Sequence, residues 1–141
     1  MAQGEKAYMS TGEVFQTIGG FLSKDEVDKA AYLYSRCQED IGYQLISRLP
    51  PEKKLRQNLA KMFFAAKDFQ KAGQVCEQLG EYRKAAQLYE RFDDYYLAAE
   101  MYARVEDFEK AAEMFERYGD FSQSADFYTK VKNYEKAAQC F

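Results

Sequence analysis

The chain has 141 residues, a formal net charge of −3, 47% apolar residues, three cysteines and no histidine. That length and apolar content suit one domain with a continuous core, and the lack of histidine removes the commonest general base and zinc ligand. No Gly-rich phosphate loop, G-x-S-x-G elbow or cysteine pair at metal spacing occurs in the sequence, so no enzyme, no cofactor and no metal site is expected.

Residues 1–23 read as a polar tail of ten residues followed by a short helix over TGEVFQTIGGFL (11–22), which Gly19 and Gly20 weaken. This apolar stretch is too short and too polar to cross a bilayer and has no basic leader, so a cytoplasmic location and no membrane insertion are expected. Residues 24–66 carry three further segments. DEVDKAAYLYSRC (25–37) has a Lys-Ala-Ala core that recurs downstream, and QEDIGYQLISRLP (38–50) is a degenerate version of it. PEKKLRQNLAKMFFAA (51–66) places Leu55, Leu59, Met62, Phe63 and Ala66 at helical spacing, with Pro51 in its first turn. The segment 24–66 is expected to begin the same architecture that follows, in atypical form.

From residue 67 onward a 13-residue unit repeats without insertion: KDFQKAGQVCEQL, GEYRKAAQLYERF, DDYYLAAEMYARV, EDFEKAAEMFERY, GDFSQSADFYTKV and the start of a sixth, KNYEKAAQCF (132–141). Place 3 is aromatic (Phe69, Tyr82, Tyr95, Phe108, Phe121, Tyr134). Places 6 and 7 are small, and place 10 is Cys76, Tyr89, Tyr102, Phe115, Tyr128 or Phe141. These places stand at i, i+3, i+4 and i+7, one face of a helix. Place 2 is acidic in the first five repeats and Asn133 in the sixth, suited to capping the first turn. Each repeat therefore predicts a helix of about ten residues and a connection of about three. A helix that short is marginal alone and must stack on its neighbours to persist. The connections make successive helices antiparallel, so two repeats form one hairpin of 26 residues. The chain stops inside a repeat, and a fragment of a longer protein is expected on that ground.

The Ala85-Ala86/Tyr89, Ala98-Ala99/Tyr102, Ala111-Ala112/Phe115 and Ala137-Ala138/Phe141 cores resemble those of tetratricopeptide-like repeats. The resemblance implies an all-α, right-handed α-solenoid of stacked short hairpins and a role in binding other proteins. The chain departs from the family pattern in two ways. The family's unit is 34 residues, and the W-x-x-L-G-x-x-Y signature is absent from a chain with no tryptophan. The family's grip on a peptide carboxylate through paired asparagines does not carry over, because Asn58 and Asn133 are far apart in the register.

Residues that break the repeat rule are the candidate contacts. Tyr96 and Leu97 occupy places 4 and 5, elsewhere polar, and are expected to project away from the alanine face as a binding anchor unless a neighbouring helix covers them. Tyr32 holds a place that is otherwise Gln, Glu or Asp, with packing against 11–22 as the simpler explanation. Phe64 beside Phe63 leaves one ring outside any single narrow helix face. A basic stretch, +5 over residues 48–71 from seven Lys/Arg and two Asp/Glu, includes Lys53, Lys54, Arg56 and Lys61. It reads as a solvated helix face or as a contact for an acidic partner. Nucleic acid is not expected, since the net charge is negative and the aromatics belong to the repeat face. The sequence thus points to a scaffold or adaptor for another protein. Self-association through the repeat ends, or a regulatory part of a larger protein, are the alternatives.

Overall fold

The computed structural model describes residues 9–37, 40–131 and 139–140. The alanine core and Phe141 of the sixth repeat lie outside those residues, as do most of the expected N-terminal tail and the first two residues of the degenerate repeat. Nine helices with defined bounds follow one another among the described residues, with no strand. They are α1 Thr11–Ser23, α2 Val27–Arg36, α3 Gly42–Arg48, α4 Lys53–Ala65, α5 Phe69–Gln78, α6 Tyr82–Arg91, α7 Tyr95–Arg104, α8 Phe108–Tyr118 and α9 Phe121–Lys130. Contacts divide the chain into an N-terminal region, Met1–Val75, and a C-terminal region, Cys76–Phe141, with the division falling inside α5.

In the C-terminal region α6 packs on α7, α7 on α8 and α8 on α9. Every helix from α5 to α9 begins at place 3 of its repeat. The reason lies in the preceding two residues. Place 1 takes the left-handed conformation each time: Lys67, Gly80, Asp93, Glu106 and Gly119 have φ of 62°, 77°, 65°, 59° and 103°. Place 2 then caps the helix. Asp94, Asp107 and Asp120 accept from the backbone N–H three residues on, whereas the longer Glu81 makes no such bond. Asp25, the equivalent of place 1 before α2, has the same backbone, φ 60°.

The small pairs at places 6 and 7 are buried, Ala85-Ala86, Ala98-Ala99 and Ala111-Ala112 fully so. Tyr89, Tyr102 and Tyr128 fill the space beside them, and full burial of such a ring stabilises by ~2–3 kcal/mol. Place 9 adds Met101 and Met114 to this core. The place-3 aromatics are only partly buried, and Phe121 is exposed. As the first residue of its helix, each stands at the end of the packed layer rather than within it.

Two side-chain patterns recur with the repeat. The place-10 hydroxyl donates to the place-11 glutamate of the preceding helix, Tyr89 to Glu77 at 2.9 Å, Tyr102 to Glu90 at 3.0 Å and Tyr128 to Glu116 at 3.2 Å. Where the ring is Phe115, which has no hydroxyl, the corresponding residue is Ala103. The place-12 cation lies over the place-3 ring of the preceding repeat: Arg104 over Tyr82 at 5.0 Å, Arg117 over Tyr95 at 5.6 Å and Lys130 over Phe108 at 5.2 Å.

The N-terminal region is less regular. α1 packs on α2 and α4, and α2 on α4. Despite Gly19 and Gly20, α1 runs 13 residues and opens on a full capping box between Ser10 and Glu13. Its opposite end is closed by Asn58, which is buried and donates to the Leu22 carbonyl at 2.9 Å and to Asp25 at 2.8 Å. The degenerate repeat yields only the seven residues of α3. Pro51 stands before the N-cap Glu52 of α4 and not in its first turn.

Candidate functional site

The off-pattern residues fall into different settings. Tyr32 on α2 is 65% exposed, with the Arg36 guanidinium 5.5 Å from its ring centre. It does border α1, but from the rim of a groove rather than from within packed contact. Thr17 and Phe21 of α1 and Asp28, Lys29, Tyr32 and Leu33 of α2 line that groove, about 470 Å³ in volume. A second hollow of about 350 Å³ lies on the other side of Tyr32, toward Ala65, Ala66 and Lys67. Tyr32 is therefore a ridge between two depressions, both bordered by cations: Lys29 lies over Phe21 at 6.0 Å, and Lys67 lines the second. Phe64 is exposed and its ring meets Phe69 at 5.6 Å, so of the adjacent pair Phe63 is the core residue.

Tyr96 and Leu97 are half-buried, not fully outward. The Tyr96 ring lies 5.7 Å from Phe115 and 5.3 Å from Tyr118, so α8 covers one side of it. The physical reason is that α8 carries large residues at its places 10 and 13, which reach across to the start of α7. The negative charge of Glu100, then its hydrogen bond, push the Tyr96 hydroxyl above its ordinary pKa.

The basic stretch separates into inward and outward residues. Arg56 turns inward, its guanidinium donating to the carbonyls of Ile46 and Leu49, the latter at 2.6 Å, and so it closes the C-terminal end of α3. Lys54 pairs with Asp25 at 3.6 Å, while Lys53 and Lys61 are exposed. Lys71, at a place expected to be solvated, is buried. Its ammonium is held by Asp68 at 3.1 Å and Asp40 at 3.5 Å, and lies 4.6 Å from the Tyr43 ring centre. Burial lowers its pKa, but the hydrogen bond and charge of Asp68, then Asp40, outweigh that and raise it. The Tyr34 hydroxyl donates to the same Asp68 at 2.7 Å, and burial together with that carboxylate pushes its pKa far up. Every partner here is supplied by the chain itself, so the cluster ties the 40–43 segment to α5. The residue that permits it is Gly42: a Cβ there would collide with the Lys71 side chain and come within 2.7 Å of the Tyr34 hydroxyl.

The Tyr–Glu pairs leave a periodic trace in the sequence. Among the regular repeats from residue 67 on, tyrosine stands at place 10 only where the preceding place 11 is glutamate. Lys71 gave no such signal, because its burial depends on Asp40 and Gly42, which lie far from it in the chain. Among the described residues no group of His, Cys, Asp and Glu is arranged to hold a metal ion. Cys76 is buried, and its thiol is pushed up to about 11 by that burial and by Glu81. No helix among the described residues is long and apolar enough to cross a membrane.

A family model described as Tetratricopeptide repeat matches residues 69–92, which is α5, the turn and α6. No curated protein and no solved structure matches the chain. The matched hairpin repeats in register through α9, with the same left-handed turn and the same small-residue core, and the chain is a tetratricopeptide-like helical repeat protein built on 13-residue helical units.

Proposed function

We propose that this protein is a non-enzymatic scaffold or adaptor that presents preformed helical surfaces to a protein partner. Repeats of this type act as interaction scaffolds, and a preformed helical array binds with little rearrangement. The observation that carries the reading furthest is Tyr32, a large aromatic 65% exposed at a place the repeat otherwise keeps polar, standing between two hollows. Such a ring supplies contact area at low entropic cost, and truncating an anchor of this kind typically costs on the order of 2 kcal/mol of binding. Phe64, Lys53 and Lys61 extend the same region's exposed surface, and Tyr96 with Leu97 belong to a second surface in the C-terminal region. Arg56 and Lys54 contribute to this reading through the fold, by holding α3 and the turn at Asp25.

The test is affinity capture from native lysate with the parent chain, Tyr32→Ala and Tyr96→Ala/Leu97→Ala, each checked for unchanged helicity. Loss of a specific protein with Tyr32→Ala supports the groove as the contact. Retention by Tyr32→Ala and loss with the pair moves the contact to the C-terminal region. If every form retains only copies of itself, the adaptor reading fails.

A further inference from the structure

The helices of the C-terminal region end alternately at two edges. One edge gathers the C-terminal ends of α6 and α8 and the N-terminal ends of α7 and α9. Three aromatic side chains stand half out of it: Phe92 at 48%, Tyr118 at 58% and Phe121 at 51% exposure. Tyr96 adjoins them through its 5.3 Å contact with Tyr118. Among the described residues, Phe92, Tyr118 and Phe121 are the large aromatic side chains of this region that stand exposed.

Carboxylates rim this patch. Asp93 lies in the turn next to Phe92 and accepts from the Tyr95 hydroxyl at 3.1 Å, and Asp120 precedes Phe121 as the α9 cap. Residues 76–141 carry nine Lys/Arg against fourteen Asp/Glu, a net charge of −5. The region also displays its own preference for what sits on an aromatic face. Arg104, Arg117 and Lys130 each lie over a ring at 5.0–5.6 Å, and one of these contacts, Arg117 on Tyr95, is at this edge.

We propose that this edge binds an arginine-bearing segment of another protein, whose guanidinium groups lie on Tyr118, Phe121 and Phe92 and face the Asp93 and Asp120 carboxylates. The planar guanidinium stacks on a ring and pairs with a carboxylate at once, which a lysine ammonium does less well. The proposal rests on the scaffold reading above and names the partner class for its second surface.

The experiment uses the full chain and three fluorescein-labelled dodecapeptides of alternating Arg-Ser, Lys-Ser and Glu-Ser, followed by fluorescence anisotropy. The Arg-Ser peptide should bind, the Lys-Ser peptide at least threefold more weakly, and the Glu-Ser peptide not at all. Tyr118→Ala/Phe121→Ala, and separately Phe92→Ser, should weaken the Arg-Ser peptide about tenfold at unchanged helicity, while Ser47→Ala, an exposed change on α3, leaves it unchanged. Equal binding of the Arg-Ser and Lys-Ser peptides, or undiminished binding by both edge variants, overturns the proposal by reducing it to diffuse charge attraction. Absence of Arg-Ser binding by a chain that still captures a protein from lysate overturns this assignment and leaves the scaffold reading standing.

Discussion

The two regions of this molecule reach helical packing by different physical routes. In the C-terminal region each helix solves its problems with the same residues at the same places: a left-handed residue at place 1, an acidic place 2, small residues at 6 and 7, a tyrosine or phenylalanine at 10. The N-terminal region has helices of 13, 10, 7 and 13 residues, and no single pattern joins them. It relies instead on inward-turned polar side chains used once each: Asn58 at the end of α1, Arg56 at the end of α3, Lys71 between Asp68 and Asp40. Repetition distributes stability over many modest contacts. Irregular packing concentrates it in a few.

That difference is open to measurement. Lys71→Ala should be the most damaging of the changes considered, since it removes a buried cation from two carboxylates, at ~2–4 kcal/mol. Gly42→Ala should damage the same cluster from the other side, at ~1–3 kcal/mol, by forcing Lys71 and Tyr34 aside. Urea unfolding followed by circular dichroism reads both. A loss under ~1 kcal/mol for Lys71→Ala would mean that the cluster does not bear on stability. Asn58→Ala should cost about 2 kcal/mol, because the Leu22 carbonyl and the α1 terminus lose a buried donor. Native-state hydrogen exchange should show that loss confined to α1, α2 and α4.

Tyr102→Phe should cost only ~1 kcal/mol, leaving the Glu90 carboxylate without its donor. Adding Glu90→Ala recreates the natural Phe115/Ala103 combination and should recover most of that loss. A double-mutant cycle with no coupling would remove the Tyr–Glu pair from the account of the repeat. The same hydroxyls predict an alkaline limit. Burial, then the glutamate partner, raises Tyr102 from an ordinary 10.0 to about 12, and burial and Glu116 do the same for Tyr128. A folded pKa above the unfolded one favours the protonated, folded form. The stability these groups contribute is therefore intact below pH 10 and lost as pH rises toward 12. Tyr102→Phe/Tyr128→Phe should be less stable than the parent at pH 8 yet lose less between pH 10 and 12, read by ellipticity against tyrosinate absorbance.

The smallest effect should be a gain. Glu106 holds a left-handed backbone, φ 59°, where glycine stands in two other repeats. Glu106→Gly should stabilise by ~0.5–1 kcal/mol through relief of that conformation, partly offset by the flexibility of glycine in the unfolded chain. Lys67→Gly gives the same test at the start of α5. A loss of stability at both positions would show that their side chains, not the backbone, matter there.

The register of the repeats, the helices from α5 to α9, the turns between them and the small-residue core are all legible along the chain. These depend on interactions within a helix or between neighbours 12 to 13 residues apart, and such interactions leave a periodic trace. Period also explains why Tyr32 could be singled out as an exception. Tertiary structure alone decided which exceptions face solvent. Tyr96 and Leu97 look like an outward pair along the chain, but α8 carries Phe115 and Tyr118 to Tyr96 and covers part of it. Lys71 and Arg56 look like members of a solvated basic face, and each turns inward because acceptors remote or irregularly placed in sequence converge on it. Such partners have no fixed spacing to be read from, and only the packed helices bring them within hydrogen-bonding distance.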